Sequence, residues 1–448
     1  SSTTYMSSIS ESPDGTDLTY GKIFKFWSPL ALTWLMMAIE GPFLAAIIAR
    51  MADAKINLAS YGVAFSFALI FEAPIIMITS ASTALVKDRI SFIKLRNFTY
   101  ACNVILTLLM FLISTPLIFD VIALKIMNLP PDAASIAQQA AFALLPWPGM
   151  IGVRRFNNGI NISSGQTHLV AYGTVIRISA MAGAALILHA LTDMHGAVIG
   201  TCALSSGVTT EAIASTIMTN KARKQLLATE RTSHEPIRYR GIFNFYYPLA
   251  ITSILTMGIG PMVTFFMGQS RYPLESLAVL PVINGLTFLF NCFGISYQEV
   301  TIAMLGTKNR YKALHIFGRT MGIITSILFG LLAFTPLAHI WLVIISGLTE
   351  ELASFAELPL QVNLLLPGLT VLVSFQRAIL VRAYKTKIMT ISTVIEFVLI
   401  FAWLFVTIHF FSFIGAVAAM SSVIFGRMIA SFYAKKYIDA NLRSLQGN

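Results

Sequence analysis

Residues 26–33 read FWSPLALT, and residues 245–252 read FYYPLAIT. The two stretches lie 219 residues apart in a chain of 448. The same offset pairs Gly41-Pro42 with Gly260-Pro261, Leu58-Ala59 with Leu277-Ala278, and Phe71 with Phe290. It also pairs Pro148-Gly149 with Pro367-Gly368, residues 174–176 (TVI) with 393–395, and residues 196–198 (GAV) with 415–417. One such match arises by chance in apolar sequence, but seven in a single register do not. The chain is built from two homologous halves of equal internal spacing. Internal repeats in an apolar chain are a mark of transporters, with the binding site where the halves meet.

The composition sets the solvent. The chain is 56% hydrophobic and 11% charged, with a mean hydropathy of +0.75. A soluble domain carries roughly 25% charged residues, so this chain cannot cover a water-facing surface. It reads as an all-α polytopic membrane protein, because backbone polar groups in lipid must be satisfied within each segment. Cys102, Cys202 and Cys292 all fall inside apolar runs, which gives neither a disulfide framework nor a metal cluster. The seven histidines form no HExxH, and there is no GxSxG or Walker A pattern. The expectation is no catalytic residue, no metal, no cofactor and no enzyme. The net charge of +11 raises nucleic acid as a partner, but the placement of the charges points to a lipid bilayer instead.

A span needs about 20 apolar residues. Helices are predicted at 23–49, 57–86, 97–119, 133–153, 167–190 and 195–220, and again at 241–268, 274–304, 311–336, 354–381, 386–410 and 413–435. They are numbered 1 to 12. The expected organisation is a disordered tail at 1–20, an N-lobe at 21–220, a polar basic linker at 221–240, a C-lobe at 241–437 and a second tail at 438–448. The N-terminal stretch lacks the apolar core of a signal peptide. Lys and Arg concentrate on one side, at Lys22, Lys87, Arg96, Arg154, Arg155, the linker, Lys308, Arg382 and Lys435. The other side has Arg50, Lys55, Lys125 and Arg271. By the positive-inside rule both termini are cytoplasmic, in a plasma membrane or a bacterial inner membrane. Six helices per half give both halves the same orientation, so the repeats are parallel.

FWSPLALT, FYYPLAIT and LASYGVAF (residues 58–65) resemble segments of the MATE transporters within the MOP flippase superfamily. Within it they look closest to the progressive ankylosis transporter and its bacterial relatives. The resemblance covers most of the chain from Gly21 on. It implies a V-shaped pair of six-helix lobes, rocker-type alternating access, and export of a solute against a proton or sodium gradient. For ankylosis-type members it implies phosphate-containing or carboxylate anions. Drug-exporting members often carry an acid in helix 1 about fifteen positions after its opening proline. Here that position is Leu44, and the acid stands one turn earlier, at Glu40.

An ionisable side chain at bilayer depth costs roughly 2.5–3.5 kcal/mol on insertion scales, so it is paired or functional. Glu72, in IFEAPII of helix 2, is the first candidate for the coupling ion, and its repeat counterpart is Asn291. Glu40, beside Gly41-Pro42, is the second; its other reading is a carboxylate at the outer interface facing water. Arg177 and Glu396 hold equivalent positions of helices 5 and 11. Arg177 either grips an anionic substrate group bidentately or neutralises Glu72, and ion pairing within each lobe is the bland alternative. Glu211 reads as its structural partner. Asn157, Asn158 and Asn161 follow Arg154-Arg155 at the end of helix 4; they line an anion-attracting vestibule, or the arginines simply meet lipid headgroups. Asn158 pairs with Arg377 across the repeat. Asn284 and Asn291, seven apart on helix 8, share a face that lines a cavity or bonds a neighbouring helix; Tyr297 and Glu299 follow on the same helix.

These readings converge on a monomeric secondary active exporter of a small organic solute, with organic or phosphate-containing anions as candidates and H+ or Na+ as the coupling ion. The competing readings are a lipid-linked precursor flippase, a multidrug or cation antiporter, and a non-transporting membrane enzyme or receptor.

Overall fold

The computed structural model describes residues 18–164, 166, 168–230, 235–305, 308–382 and 385–446, with no strand among them. The expected N-terminal tail falls outside the described residues, apart from its last three positions. Among the described residues, eleven helices are long and apolar enough to cross a membrane. Their outward faces carry bare aliphatic side chains, such as Leu191 and Ile217, that only lipid can cover favourably. The twelfth expected span, helix 4, is two helices, Pro131–Ala143 and Pro146–Ser163. Each opens on a proline at its first position, where the missing N–H costs nothing. The chain is a multi-pass helical membrane protein of two six-helix repeats.

The backbone repeats with the same offset as the sequence. Helix 1 runs Tyr20–Ala38, breaks at Ile39 and resumes as Glu40–Ala49; helix 7 runs Tyr239–Met257, breaks at Gly258 and resumes as Ile259–Met267. In both, a threonine one turn on returns its hydroxyl to the motif proline's carbonyl, Thr33 to Pro29 at 3.1 Å and Thr252 to Pro248 at 3.0 Å. That is the local reason for the final Thr of PLALT and PLAIT. The short π-helical turns Val121–Ile126 and Ile340–Ile345 stand 219 residues apart. So do the left-handed residues Asp53 and Tyr272, and Asn128 (φ 56°) and Gly347 (φ 76°). Asn and Gly are the types that enter this region most readily.

Several boundaries differ from the prediction. Helix 2 is Ala54–Glu72 and Ile78–Leu85, interrupted by turns around Pro74, whose ring clashes with the preceding turn. Helix 3 is Arg89–Ser114, not 97–119. It starts at an Asp88–Ser91 capping box and stops ahead of Pro116. Helix 4 continues to Ser163, ten residues past its expected end, so Arg154 and Arg155 do not belong to a cytoplasmic loop. Part of the linker, Asn220–Ala228, is helical, and helix 12 runs Gly415–Gln446 through the expected tail.

Contacts divide the chain into two compact units. The first is Phe43–Pro281 with Ser346–Leu352; the second is Ser1–Pro42 with Val282–Ile345 and Ala353–Asn448. The first segment of helix 1 therefore joins the unit built mainly from the second half, and helix 7 joins the unit built mainly from the first. In the second unit, Ile23 of helix 1 is buried in a core with Tyr297, Val300 and Leu314. The Trp27 indole there donates to Ser296 Oγ at 2.9 Å and to the Phe293 carbonyl at 3.3 Å. In the first unit, the Tyr246 hydroxyl of helix 7 donates to the Pro74 carbonyl, and Ser66 donates to Thr264 Oγ1 at 2.8 Å.

Candidate functional site

Each unit buries a small cluster of charges. In the first unit the Pro74 break ends the first segment of helix 2 at Glu72, which is 7% exposed. Pro146 starts the second segment of helix 4 and sets Trp147 beside it. The indole N–H donates to Glu72 Oε2 at 2.9 Å. The same ring carries the Arg177 guanidinium over its face, 5.2 Å from the centroid. Arg177 lies 3.8 Å from Glu211 Oε2, and Arg154 donates to that same oxygen at 3.1 Å. One carboxylate oxygen of helix 6 thus serves guanidinium groups from helices 4 and 5.

Arg155 is different. Its side chain makes no hydrogen bond or ion pair to any described residue, and its buried Nε has no partner. The Arg154 Nε, both amide atoms of Asn161, Asn103 Oδ1 and Thr99 Oγ1 are also buried without a hydrogen-bond partner among the described residues. Buried polar groups are paired as a rule, so this concentration on helices 3 and 4 is unusual. Gly152 keeps the two helices close, since a Cβ there would lie 1.9 Å from Asn103 Oδ1. Asn157 is satisfied, donating to Ser215 and Thr216 at 3.0 Å each. Asn158 is buried on the same helix. Among the described residues, Arg154, Arg155 and Arg177 face two carboxylates, Glu72 and Glu211, so ionisation of both leaves the guanidinium groups one ahead.

The second unit holds the corresponding network. Asn291, in Glu72's position, accepts from the Thr370 hydroxyl at 3.1 Å. Arg427 donates to Thr370 Oγ1 and, through Nε, to Glu396 Oε1, each at 3.1 Å. Arg377 makes no hydrogen bond or ion pair to a described residue. It lines a small cavity with Gln376, Ser392, Glu396 and Ser431. Two cations face one carboxylate, so the excess is again one.

Glu72 and Arg177 are brought together through Trp147, and Asn291 and Glu396 through Thr370 and Arg427. Arg177 and Glu396, opposite in sign at one repeat position, each pair inside their own unit. Glu40 is half-buried in the first turn of its helical segment, where a carboxylate complements the unpaired N–H groups. Asn284 is exposed while Asn291 is buried, so the shared face does not give them a shared environment. The side chain of Glu299 lies outside the described residues. Sequence reasoning missed Trp147, Thr370 and Arg427. Arg427 had a signal, being the lone charge in an apolar run from Gly415 to Ala434. Trp147 had a weaker one, as it stands opposite Leu366 in the repeat. Among the described residues no group of three His, Cys, Asp or Glu could hold a metal ion.

No protein-family model and no curated protein matches the chain. Solved structures do. An inward-facing multidrug resistance MATE family transporter of the MOP superfamily superposes with a TM-score of 0.71 at 13% identity, covering 93% of this chain and 99% of that one. The lipid II flippase MurJ, in an inward closed conformation, gives 0.69 at 14% identity, over 92% of this chain and 87% of its own. A MOP superfamily transporter from Pyrococcus furiosus, described as having a binding pocket of reverse polarity, gives 0.61 at 13% identity, over 96% and 100%. Together with the repeated helices, breaks and π-helical turns, these likenesses establish that the chain has the fold of the MATE transporters of the MOP superfamily.

Proposed function

We propose that the protein is a secondary active transporter that exports a small organic anion, carboxylate or phosphate-containing, by alternating access of its two halves, 21–220 and 241–437. The observation that carries this reading is the excess of guanidinium groups in the first unit, where Arg154 and Arg177 share Glu211 and Arg155, with its Nε buried, makes no ion pair to a described residue. A buried, uncompensated charge is strongly unfavourable, and a chain in lipid has little reason to keep one unless a counter-charge arrives from outside. The fold shared with MATE transporters supports the transport class. The cation excess speaks against a cationic-drug antiporter.

Glu72 is the group we assign to the coupling ion, H+ or Na+. The hydrogen bond it accepts comes from a neutral indole, so ion binding there would alter the balance against the three arginines. A ligand shifts a conformational equilibrium only by its differential affinity for the two states, so coupling requires Glu72's surroundings to differ between them. In this reading both termini are cytoplasmic, as the basic loops suggest, and the working unit is a monomer. The test is uptake into inside-out vesicles under an imposed proton or sodium gradient, with citrate, a nucleotide and a cationic dye in parallel. Gradient-driven uptake of an anion, lost in Glu72→Gln, is the expected result. Uptake that ignores both gradient and substitution would make the protein a facilitator with a structural Glu72.

A lipid-linked precursor flippase is the second reading. The likeness to MurJ favours it, as do the five guanidinium groups of Arg154, Arg155, Arg177, Arg377 and Arg427, which suit a cargo that carries phosphate. Translocation of a labelled lipid-linked precursor in proteoliposomes, without uptake of any soluble anion, would select it.

A further inference from the structure

The cavity beside Arg377 belongs wholly to the second unit. Its free space is small, about 10 Å³, which is room for roughly one water-sized occupant. Helices 10, 11 and 12 wall it. Its polar lining is the Arg377 guanidinium, the Gln376 amide, the Ser392 and Ser431 hydroxyls, and the Glu396 carboxylate. Most of these groups are already committed. Ser431 and Gln376 are bonded to each other, at 3.0 Å between Ser431 Oγ and Gln376 Oε1, and Ser392 donates to the Ala430 carbonyl at 3.1 Å. Glu396 is held by Arg427 at 3.1 Å. Among these groups Arg377 alone brings a full set of donors with no partner in the described residues.

The charge balance and the size together define what fits. One carboxylate cannot neutralise two guanidinium groups, so the cluster lacks a single negative charge. A carboxylate or phosphate ester needs far more room than this cavity offers, whereas a monatomic anion, somewhat larger than water, needs only a small shift of the flexible Arg377 and Met389 side chains that line it. We infer that the Arg377 cavity is a binding site for a halide-sized inorganic anion, chloride being the physiological candidate, held by the guanidinium and completing the charge balance of the helix 10–12 cluster. The site is separate from the organic solute of the transport reading. Its occupancy would stabilise the packing of these three helices rather than carry cargo.

The test needs no transport substrate, so it stands or falls apart from the transport reading. Thermal unfolding of the purified full chain is followed in sodium chloride and in sodium gluconate at constant ionic strength and pH, for the native protein and Arg377→Gln. Expected is a saturable rise of about 2–4 °C with chloride in the native protein and none in the variant, which retains the general salt effect. Arg377→Lys, which keeps the charge but not the planar fork of donors, retains a weaker rise that needs more chloride. Equal unfolding of the native protein in the two salts, or an equal chloride response in Arg377→Gln, overturns the inference. If Arg377→Gln does not fold, crystals of the native protein grown in bromide decide: an anomalous peak beside Arg377 supports the site, and its absence refutes it.

Discussion

Trp27 and Tyr246 occupy the same place in the repeated motif and make the same contact. The Trp27 indole donates to the carbonyl of Phe293, and the Tyr246 hydroxyl donates to the carbonyl of Pro74. Phe293 and Pro74 are themselves 219 residues apart. Each opening helix is thus fastened by an aromatic donor to the second helix of the other half, at one equivalent carbonyl. The polar tip is satisfied while the ring fills apolar space, which is what Trp and Tyr offer over Phe.

Tyr246→Phe removes the donor, keeps the ring and should destabilise by about 0.5–1.5 kcal/mol. Trp27→Phe removes both indole hydrogen bonds and part of the ring system, and should cost more, about 2–4 kcal/mol. The two bonds share no partner, so the double variant should show the sum. Denaturant unfolding of the purified protein in detergent measures this, and a markedly larger combined loss would mean that the fastenings act as one device.

Glu211 accepts from Arg154 and lies 3.8 Å from Arg177. Glu211→Gln leaves both cations buried without their carboxylate and should cost about 3–5 kcal/mol. Adding Arg154→Met to it should recover only part, because Arg177 remains. A cost under about 1 kcal/mol, the range of a solvated ion pair, would mean that water reaches this cluster freely.

Two glycines give opposite expectations. At Gly268 a Cβ would lie 2.0 Å from the Met127 carbonyl oxygen, and backbone cannot step aside as a side chain can. Gly268→Ala should destabilise by roughly 1–3 kcal/mol or more. Gly183 sits mid-helix with nothing within 4 Å of the added atom. Gly183→Ala should be neutral or stabilise by about 0.5–1 kcal/mol. Thermal melts of the two variants side by side test the helix contacts around residue 127.

Much of the fold is legible in the residues themselves. The constant offset marks two equal halves, and the apolar runs place all twelve spans, with helix 4 ended ten residues short. Helix 4 resists because its second segment is spent on polar side chains, Arg154, Arg155 and three asparagines, that face protein and not lipid. A hydropathy reading takes such a stretch for a loop. The exchange of helices 1 and 7 is invisible for a different reason: FWSPLALT and FYYPLAIT announce a contact without saying which half supplies the carbonyl. For the site, the rule that intramembrane charges matter finds Glu72, Arg177 and Glu396. It finds none of their neutral partners, since Trp147 and Thr370 are ordinary residues of an apolar helix until geometry brings them to a carboxylate or a guanidinium.

The Trp147–Glu72 bond can be weighed by a double-mutant cycle. Trp147→Phe leaves one six-membered ring and removes the donor; Glu72→Leu removes the acceptor and its charge. A hydrogen bond to an ionised group contributes about 1.5–3 kcal/mol, so a coupling energy in that range is expected from unfolding of the four proteins. A coupling near zero would indicate a Glu72 that is neutral, or hydrated, in the folded chain.

The most direct test of the central claim is the charge of the cargo. Proteoliposomes containing the native protein or Arg155→Gln are assayed for uptake of citrate, a nucleotide and a cationic dye of similar size. The account predicts uptake of at least one of the anions by the native protein, little or none of the dye, and at least a roughly tenfold loss of anion uptake in the variant, equivalent to about 1.4 kcal/mol. Uptake of the dye in preference to both anions, or anion uptake untouched by Arg155→Gln, would contradict it.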